Sequence, residues 1–160
     1  MVSGMASVNA EIIRKTQAIL EKEAKRLKKM IATEVGNYYG SYSPTVYDRT
    51  FGLINSLKID KAYHDGQYLI VKIYFDPTMG MATQPSKMGG DPGFTPILIN
   101  YGWRWKRRTG PYRFAYYEGF YFWGRALEKF NANNPYKLRI DASMSYKGKV
   151  VSHHSYQATR

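Results

Sequence analysis

The sequence predicts an α+β fold: a long N-terminal helix and a second helix packed on a small antiparallel β-sheet, with a long loop between a hairpin and the second helix. Three patterns predict it. An apolar stripe at three- and four-residue steps runs from Asn9 to about Tyr38. Alternating residues on either side of Asp65-Gly66 fold back on each other. Strict alternation returns from Tyr136 to Tyr146.

In the first helix, Ile12, Thr16, Ile19, Leu20, Ala24, Leu27, Met30, Ile31 and Val35 form the stripe, with Asn9 as N-cap and Gly36 and Gly40 marking the end. Between them lie Arg14, Lys15, Lys22, Lys25, Arg26, Lys28 and Lys29, with glutamates spaced for pairs such as Glu21 with Lys25. These lysines read as a solvated helix face or a phosphate-contacting stripe. At about 1.5 Å per residue, thirty residues span about 45 Å, longer than a small domain is wide, so part of the helix is expected to pack on a neighbour.

Pro44 stiffens a turn, Thr50 caps an apolar turn, and Leu53 and Ile54 point inward. In the hairpin, Leu57 and Ile59 alternate with Lys58 and Asp60, and Leu69, Val71, Ile73 and Phe75 alternate on the return. Residues 76–96 carry four prolines, four glycines and three methionines without periodicity. They read as a loop that is mobile or ordered by a neighbouring subunit. Residues 97–103 form a short apolar strand or helical turn. From Tyr116 to Asn131 the pattern is helical, with Phe120, Trp123, Leu127 and Phe130 on one side and Asn133-Asn134-Pro135 ending it. The domain occupies residues 1–150, and 151–160 read as a flexible C-terminal tail.

The chain of 160 residues suits one domain, and 44% hydrophobic residues let it offset its ordering entropy by burial. A net charge of +12 points toward a polyanion partner without naming it. With no cysteine there are no disulfides, thiolate metal sites or cysteine nucleophiles. No stretch approaches the roughly 18 apolar residues of a membrane span, and no leader pattern opens the chain, so a soluble, unprocessed protein without a membrane partner is expected.

Residue pairs for catalysis are scarce. The three histidines are His64, before the hairpin turn, and His153 and His154, near the end. No third ligand stands at metal-binding spacing. Asp48 and Glu118 lie among aromatics, where pairing with Arg49 or Arg125 is the structural default. The glycine cluster MGGDPGF lacks the lysine and the opening helix of a phosphate loop. No enzyme, cofactor or metal is expected, although paired carboxylates distant in sequence keep a small hydrolase as a third reading.

The strongest functional signal is WRWKRRTGPYR, residues 103–113. Arg104, Lys106, Arg107, Arg108 and Arg113 suit phosphates, and Trp103, Trp105 and Tyr112 suit base stacking. The same residue types anchor protein interfaces. Gly110-Pro111 forces a turn, so the run is expected to form an exposed ridge that contacts a subunit or neighbour first and lines a DNA passage second.

Three segments, SYSPTVYDRTFGLINSL (41–57), INYGW (99–103) and YEGFYFWGRALEKFNANNP (117–135), together resemble the head-tail joining family of long-tailed bacteriophages, also called tail-completion or minor tail-component proteins. Members open with a long charged helix and carry P-x-x-Y-x-R-T-G-x-L-x-x-S before a hairpin. Pro44, Tyr47, Arg49, Thr50, Leu53 and Ser56 occupy the motif positions; Phe51 replaces the glycine, and Gly52 follows one place later. The resemblance covers element order over residues 8–146. It implies a virion structural protein at the neck and tail junction, made in the host cytoplasm, which forms a homo-oligomeric ring (hexamer favoured over dodecamer) joining tail to head around the DNA passage. The implied partners are neighbouring neck and tail-tube or tail-terminator proteins, with non-specific contact to genomic DNA. The expected subunit-interface residues are Tyr42, Pro44, Tyr47, Arg49, Trp103 and Trp105; Arg104, Lys106, Arg107, Arg108 and Arg113 are expected to face DNA or a partner. The alternative is a basic nucleic-acid-binding module built on residues 103–113.

Overall fold

The computed structural model describes residues 3–41, 52–76, 95–106, 114–146 and 149–156. It has the α+β architecture that the periodicities predict, with its strands in antiparallel two-stranded pairs rather than one sheet.

Helix α1 (Ser3–Gly40) is 38 residues long, about 57 Å at about 1.5 Å per residue. It starts before Asn9, which is therefore an interior residue rather than a cap, and it runs through Gly36 to end at Gly40. Only its second half joins the core. Ala24, Leu27, Ile31, Val35 and Tyr38 are buried, whereas Ile12 and Ile13 are 57% and 45% exposed. The stripe read from sequence thus overruns the body of the domain, and Ile12 is not a core residue.

A short helix α2 (Gly52–Asn55) seats Leu53 in the core and leaves Ile54 half-buried. Ser56 is also buried, and its hydroxyl donates to the Leu53 carbonyl at 2.9 Å. The hairpin that follows is split. Strands β1 (Leu57–Ile59) and β4 (Ile73–Phe75) pair with Leu57 opposite Phe75, while β2 (Tyr63–Asp65) and β3 (Tyr68–Ile70) pair with Tyr63 opposite Ile70. Between the ladders the outgoing strand advances from Ile59 to Tyr63 and the return from Ile70 only to Ile73. The extra outgoing residue offsets the register in the manner of a bulge. The loop residues are Gly66 and Gln67, with Asp65 still in the ladder; Gly66 takes φ 59°, which glycine adopts without a Cβ penalty. At the break, the Glu21 carboxylate accepts the Ala62 N–H at 3.2 Å, tying α1 to the hairpin. That bond, then one from Gln17, holds the Glu21 carboxyl below its ordinary range.

Helix α3 (Thr95–Tyr101) leads directly into β5 (Gly102–Lys106), which pairs with β6 (Phe114–Glu118). Residues 116–118 are therefore strand, not the start of the second helix as their pattern predicted. Helix α4 runs Phe122–Ala132 and buries Phe122, Ala126, Leu127 and Phe130, while Trp123 is only half-buried and Phe120 precedes the helix. The residues after it are not strand either. Asn134 brackets the turn through its side chain, accepting from Leu138 N–H at 3.0 Å and donating to Leu138 O at 2.9 Å, and Lys137 takes φ 50°. Strand β7 (Ile140–Tyr146) begins only beyond that left-handed residue and pairs with β8 (Lys149–Tyr156). Residues 151–156, read from sequence as part of a flexible tail, thus lie in a paired strand.

The core forms where α1 meets α4. Phe122, Phe130, Ile31, Leu127 and Val35 are fully buried, each contributing roughly 1.5–3 kcal/mol. Arg26 joins the two helices at one end: it pairs with Glu23 at 2.7 Å, lies over the Phe130 ring at 4.2 Å, and donates to the Asn133 carbonyl at 2.6 Å, which satisfies an orphan acceptor past the end of α4. Further along α1, the Lys129 ammonium pairs with the buried Glu34 carboxylate.

Candidate assembly surface

Two of the three segments that carry the family resemblance meet at the start of α4. Tyr121, the residue before the helix, has no side-chain cap and sits at φ 54°, a left-handed conformation that costs an L-residue roughly 1–2 kcal/mol. Backbone bonds to α3 hold it there. Phe120 N–H donates to the Ile99 carbonyl at 2.8 Å, and Tyr121 N–H to the Asn100 carbonyl at 3.0 Å. The missing cap comes from elsewhere in the chain: buried Asn100 accepts the Trp123 N–H through Oδ1 at 2.9 Å. Satisfying an orphan N–H in this way is the usual work of an N-cap residue. Asn100→Ala is expected to destabilise the fold by about 1.5 kcal/mol, read from urea denaturation midpoints.

Gly119 makes this crossing possible. A Cβ there would lie 2.5 Å from the Tyr101 carbonyl carbon and 2.7 Å from Gly102 N, and would also meet the Asn100 carbonyl oxygen. Gly102 itself takes φ 78° as the chain turns from α3 into β5. Outside this junction lies a small recess of about 290 Å³ bordered by Tyr101, Tyr121, Arg125 and Glu128. Tyr121 is 49% exposed beside it. Arg125 stacks over the Phe120 ring at 4.5 Å, so its guanidinium has an aromatic partner besides any carboxylate. Trp123 Nε1 is buried without a hydrogen-bond partner among the described residues.

The junction launches the β5–β6 ribbon. Trp103 pairs with Tyr117, Arg104 with Tyr116, Trp105 with Ala115 and Lys106 with Phe114. The pleat assigns positions 103 and 105 to one face and positions 104 and 106 to the other. The tryptophan and basic positions read together from sequence are therefore sorted onto opposite faces of a hairpin arm. Of the other expected site residues, Tyr42, Pro44, Tyr47, Arg49, Arg107, Arg108 and Arg113 lie outside the described residues, as do Asp48, Thr50 and the greater part of the 76–96 loop.

His64 stands in β2 and His153 and His154 in β8. Among the described residues no three His, Asp or Glu side chains gather in a way that would hold a metal. No helix among them is long and apolar enough to cross a membrane.

Sequence reasoning missed Asn100, Gly119, Glu34 and Ile13. Asn100 interrupts an apolar run, the one local hint that it is buried and bonded; nothing local marks Gly119, whose constraint comes from a segment seventeen or more residues away. No known family model matches the chain, and neither the curated proteins nor the solved structures contain a match.

Proposed function

We propose that the protein is a structural component of a bacteriophage neck or tail, working as a ring that joins tail to head around the passage for DNA, without a catalytic step. The observation that carries this reading is where the resembling segments lie. Residues 99–102 and 118–123 bind each other through backbone bonds and the Asn100 cap, and of the described residues in the third segment Leu53 belongs to the same apolar core as Ile99 and Phe122 while Ser56 is buried. Among the described residues, the likeness thus includes ones that build the frame. Two further features support it: a first helix whose residues 9–16 are exposed, and a charge of +12 that a ring would multiply around a polyanion. Native mass spectrometry and cross-linking with neighbouring neck and tail proteins test it. A chain that stays monomeric and never enters particles overturns it.

The β5–β6 arm supports a second reading, a nucleic-acid-binding module, because positions 104 and 106 share one face at the base of the basic run. On this reading, DNA affinity falls with a logarithmic salt slope of roughly 0.7–0.9 per phosphate contact, and Arg107→Ala with Arg108→Ala flattens the slope by about 2. For a ring that must let DNA slide through, binding is weak and the double substitution leaves assembly intact. A salt titration by fluorescence anisotropy separates the two.

A further inference from the structure

The fold sorts the charges of α1 between two faces. Glu23 and Glu34 are buried, paired with Arg26 and Lys129. Glu21 accepts from the Ala62 N–H and from Gln17, and Glu11 meets Lys15 at 2.8 Å near the start of the helix. The remaining lysines turn away from the domain. Lys22, Lys25 and Lys29 are exposed, and their steps of three and four place them on the side of the helix opposite the buried Leu27 and Ile31. Among the described residues, none of the three meets a carboxylate in an ion pair. The Glu21–Lys25 pair that the spacing offers is not made, because Glu21 is turned to the hairpin. After the Ala62 N–H and Gln17, the charges of Lys25 and Lys61 help to hold the Glu21 carboxyl low. Lys61, exposed in the break between β1 and β2, thus adds a cation from a second element beside the lysine face.

We propose that this outer face of α1, flanked by Lys61, docks on the phosphate backbone of double-stranded DNA. Charge complementarity selects the class of partner, since an exposed lysine row on a chain of +12 gains by releasing counterions from a polyanion. From Lys15 to Lys29 the row runs about 21 Å at about 1.5 Å per residue, a length over which a duplex presents about 12 charges. Contacts of this kind position a duplex without reading its bases.

Other partners fit less well. Lysine is depleted from protein interfaces, where Trp, Tyr and Arg are the anchors. Arg26, the one residue of that kind between Lys22 and Lys29, lies over the Phe130 ring instead. A single strand would want aromatic rings to stack on, and that span has none. A membrane that received the exposed Ile13, which is in heptad step with Leu20 and Leu27, would leave the lysines facing away from it. The face belongs to a single chain, so it requires neither a ring nor the β5–β6 arm.

Fluorescence anisotropy of the full chain with a labelled duplex of about 25 base pairs is expected to give a logarithmic salt slope of about 2.7 or steeper, a loss of about 40-fold between about 50 and 200 mM sodium chloride. Lys22→Gln with Lys25→Gln and Lys29→Gln is expected to flatten that slope by about 2.7. Lys58→Gln with Lys137→Gln and Arg139→Gln removes as much charge from other elements and is expected to leave the slope within about 0.5 of wild type. Because the three α1 lysines are exposed and unpaired among the described residues, the circular-dichroism melt of their variant should match wild type. A second measurement uses the unaltered chain: duplex is expected to protect Lys22, Lys25 and Lys29, but not Lys137, from acetylation read by mass spectrometry. An unchanged slope in the α1 variant, or equal acetylation with and without duplex, overturns the proposal. If Arg107→Ala with Arg108→Ala flattens the slope and the α1 variant does not, the DNA contact belongs to the arm. Tighter binding to phosphatidylserine vesicles than to duplex overturns it in favour of a membrane surface. A flattened slope in a chain that never enters particles upholds this face and overturns the neck-protein reading.

Discussion

Gly119→Ala is expected to lower the melting temperature by about 10 °C, corresponding to about 3 kcal/mol at roughly 2–4 °C per kcal/mol for a chain of this size. The added methyl would press on backbone, the Tyr101 carbonyl carbon at 2.5 Å and Gly102 N at 2.7 Å, so no side-chain rotamer change relieves it. To make room, β6 must withdraw from α3. That withdrawal breaks the bonds from Phe120 N–H to Ile99 O and from Tyr121 N–H to Asn100 O, and it unseats the Asn100 cap on α4. Gly124→Ala is the control. It lies in the first turn of α4 with open space around it, and alanine there is expected to stabilise by up to about 1 kcal/mol through helix propensity. Differential scanning calorimetry of the two variants reads both signs. Equal melting temperatures for Gly119→Ala and wild type would refute the close crossing.

The second large effect belongs to the pair joining α1 and α4. Glu34 is 2% exposed and the Lys129 ammonium is its partner. Lys129→Met keeps the stem of the side chain and strands a carboxylate in the core. Breaking a fully buried pair this way costs roughly 3–5 kcal/mol. The Lys129 side chain is 61% exposed, so water reaches one end of the pair and the expected loss falls to about 2–3 kcal/mol. Adding Glu34→Gln to Lys129→Met replaces the stranded charge by a neutral amide and is expected to recover at least about 1 kcal/mol. A chemical-denaturation double-mutant cycle measures the coupling. If the double variant is no more stable than Lys129→Met alone, the stranded charge is not the cause.

Legibility of the fold varied with how local its causes were. The first helix, the hairpin and the later strand announce themselves through periods that a few residues set among themselves. The errors fell where a distant segment overrides the local pattern. Tyr116, Tyr117 and Glu118 carry a helix-like spacing, yet they pair with Arg104, Trp103 and Gly102, so the helix starts only at Phe122. Tyr136–Arg139 alternate like a strand, but Asn134 grips Leu138 at both backbone groups and Lys137 turns left-handed, which delays β7 to Ile140. At the C-terminal end a polar stretch joins β8 because β7 offers it an edge to pair with.

The candidate surface was legible in kind rather than in layout. The tryptophans and cations of 103–106 stood out by composition, but only the pairing with β6 shows that the stretch is a strand, whose pleat sets alternate positions on opposite faces. The exposed head of α1 was invisible for a different reason. An amphipathic stripe records that a face needs covering and not whether the cover lies in the same chain.

By itself, then, the sequence determined the α+β class, the long amphipathic first helix, the hairpin turning at Gly66 and the excess positive charge, because each follows from neighbours along the chain or from simple counting. The tertiary structure alone decided that α4 takes its cap from Asn100, that Glu34 is buried against Lys129, and that the stripe of α1 outruns its core to leave Ile12 and Ile13 in water. Those features depend on which segments meet in space, and packing decides that only once all the local preferences have competed for the same core.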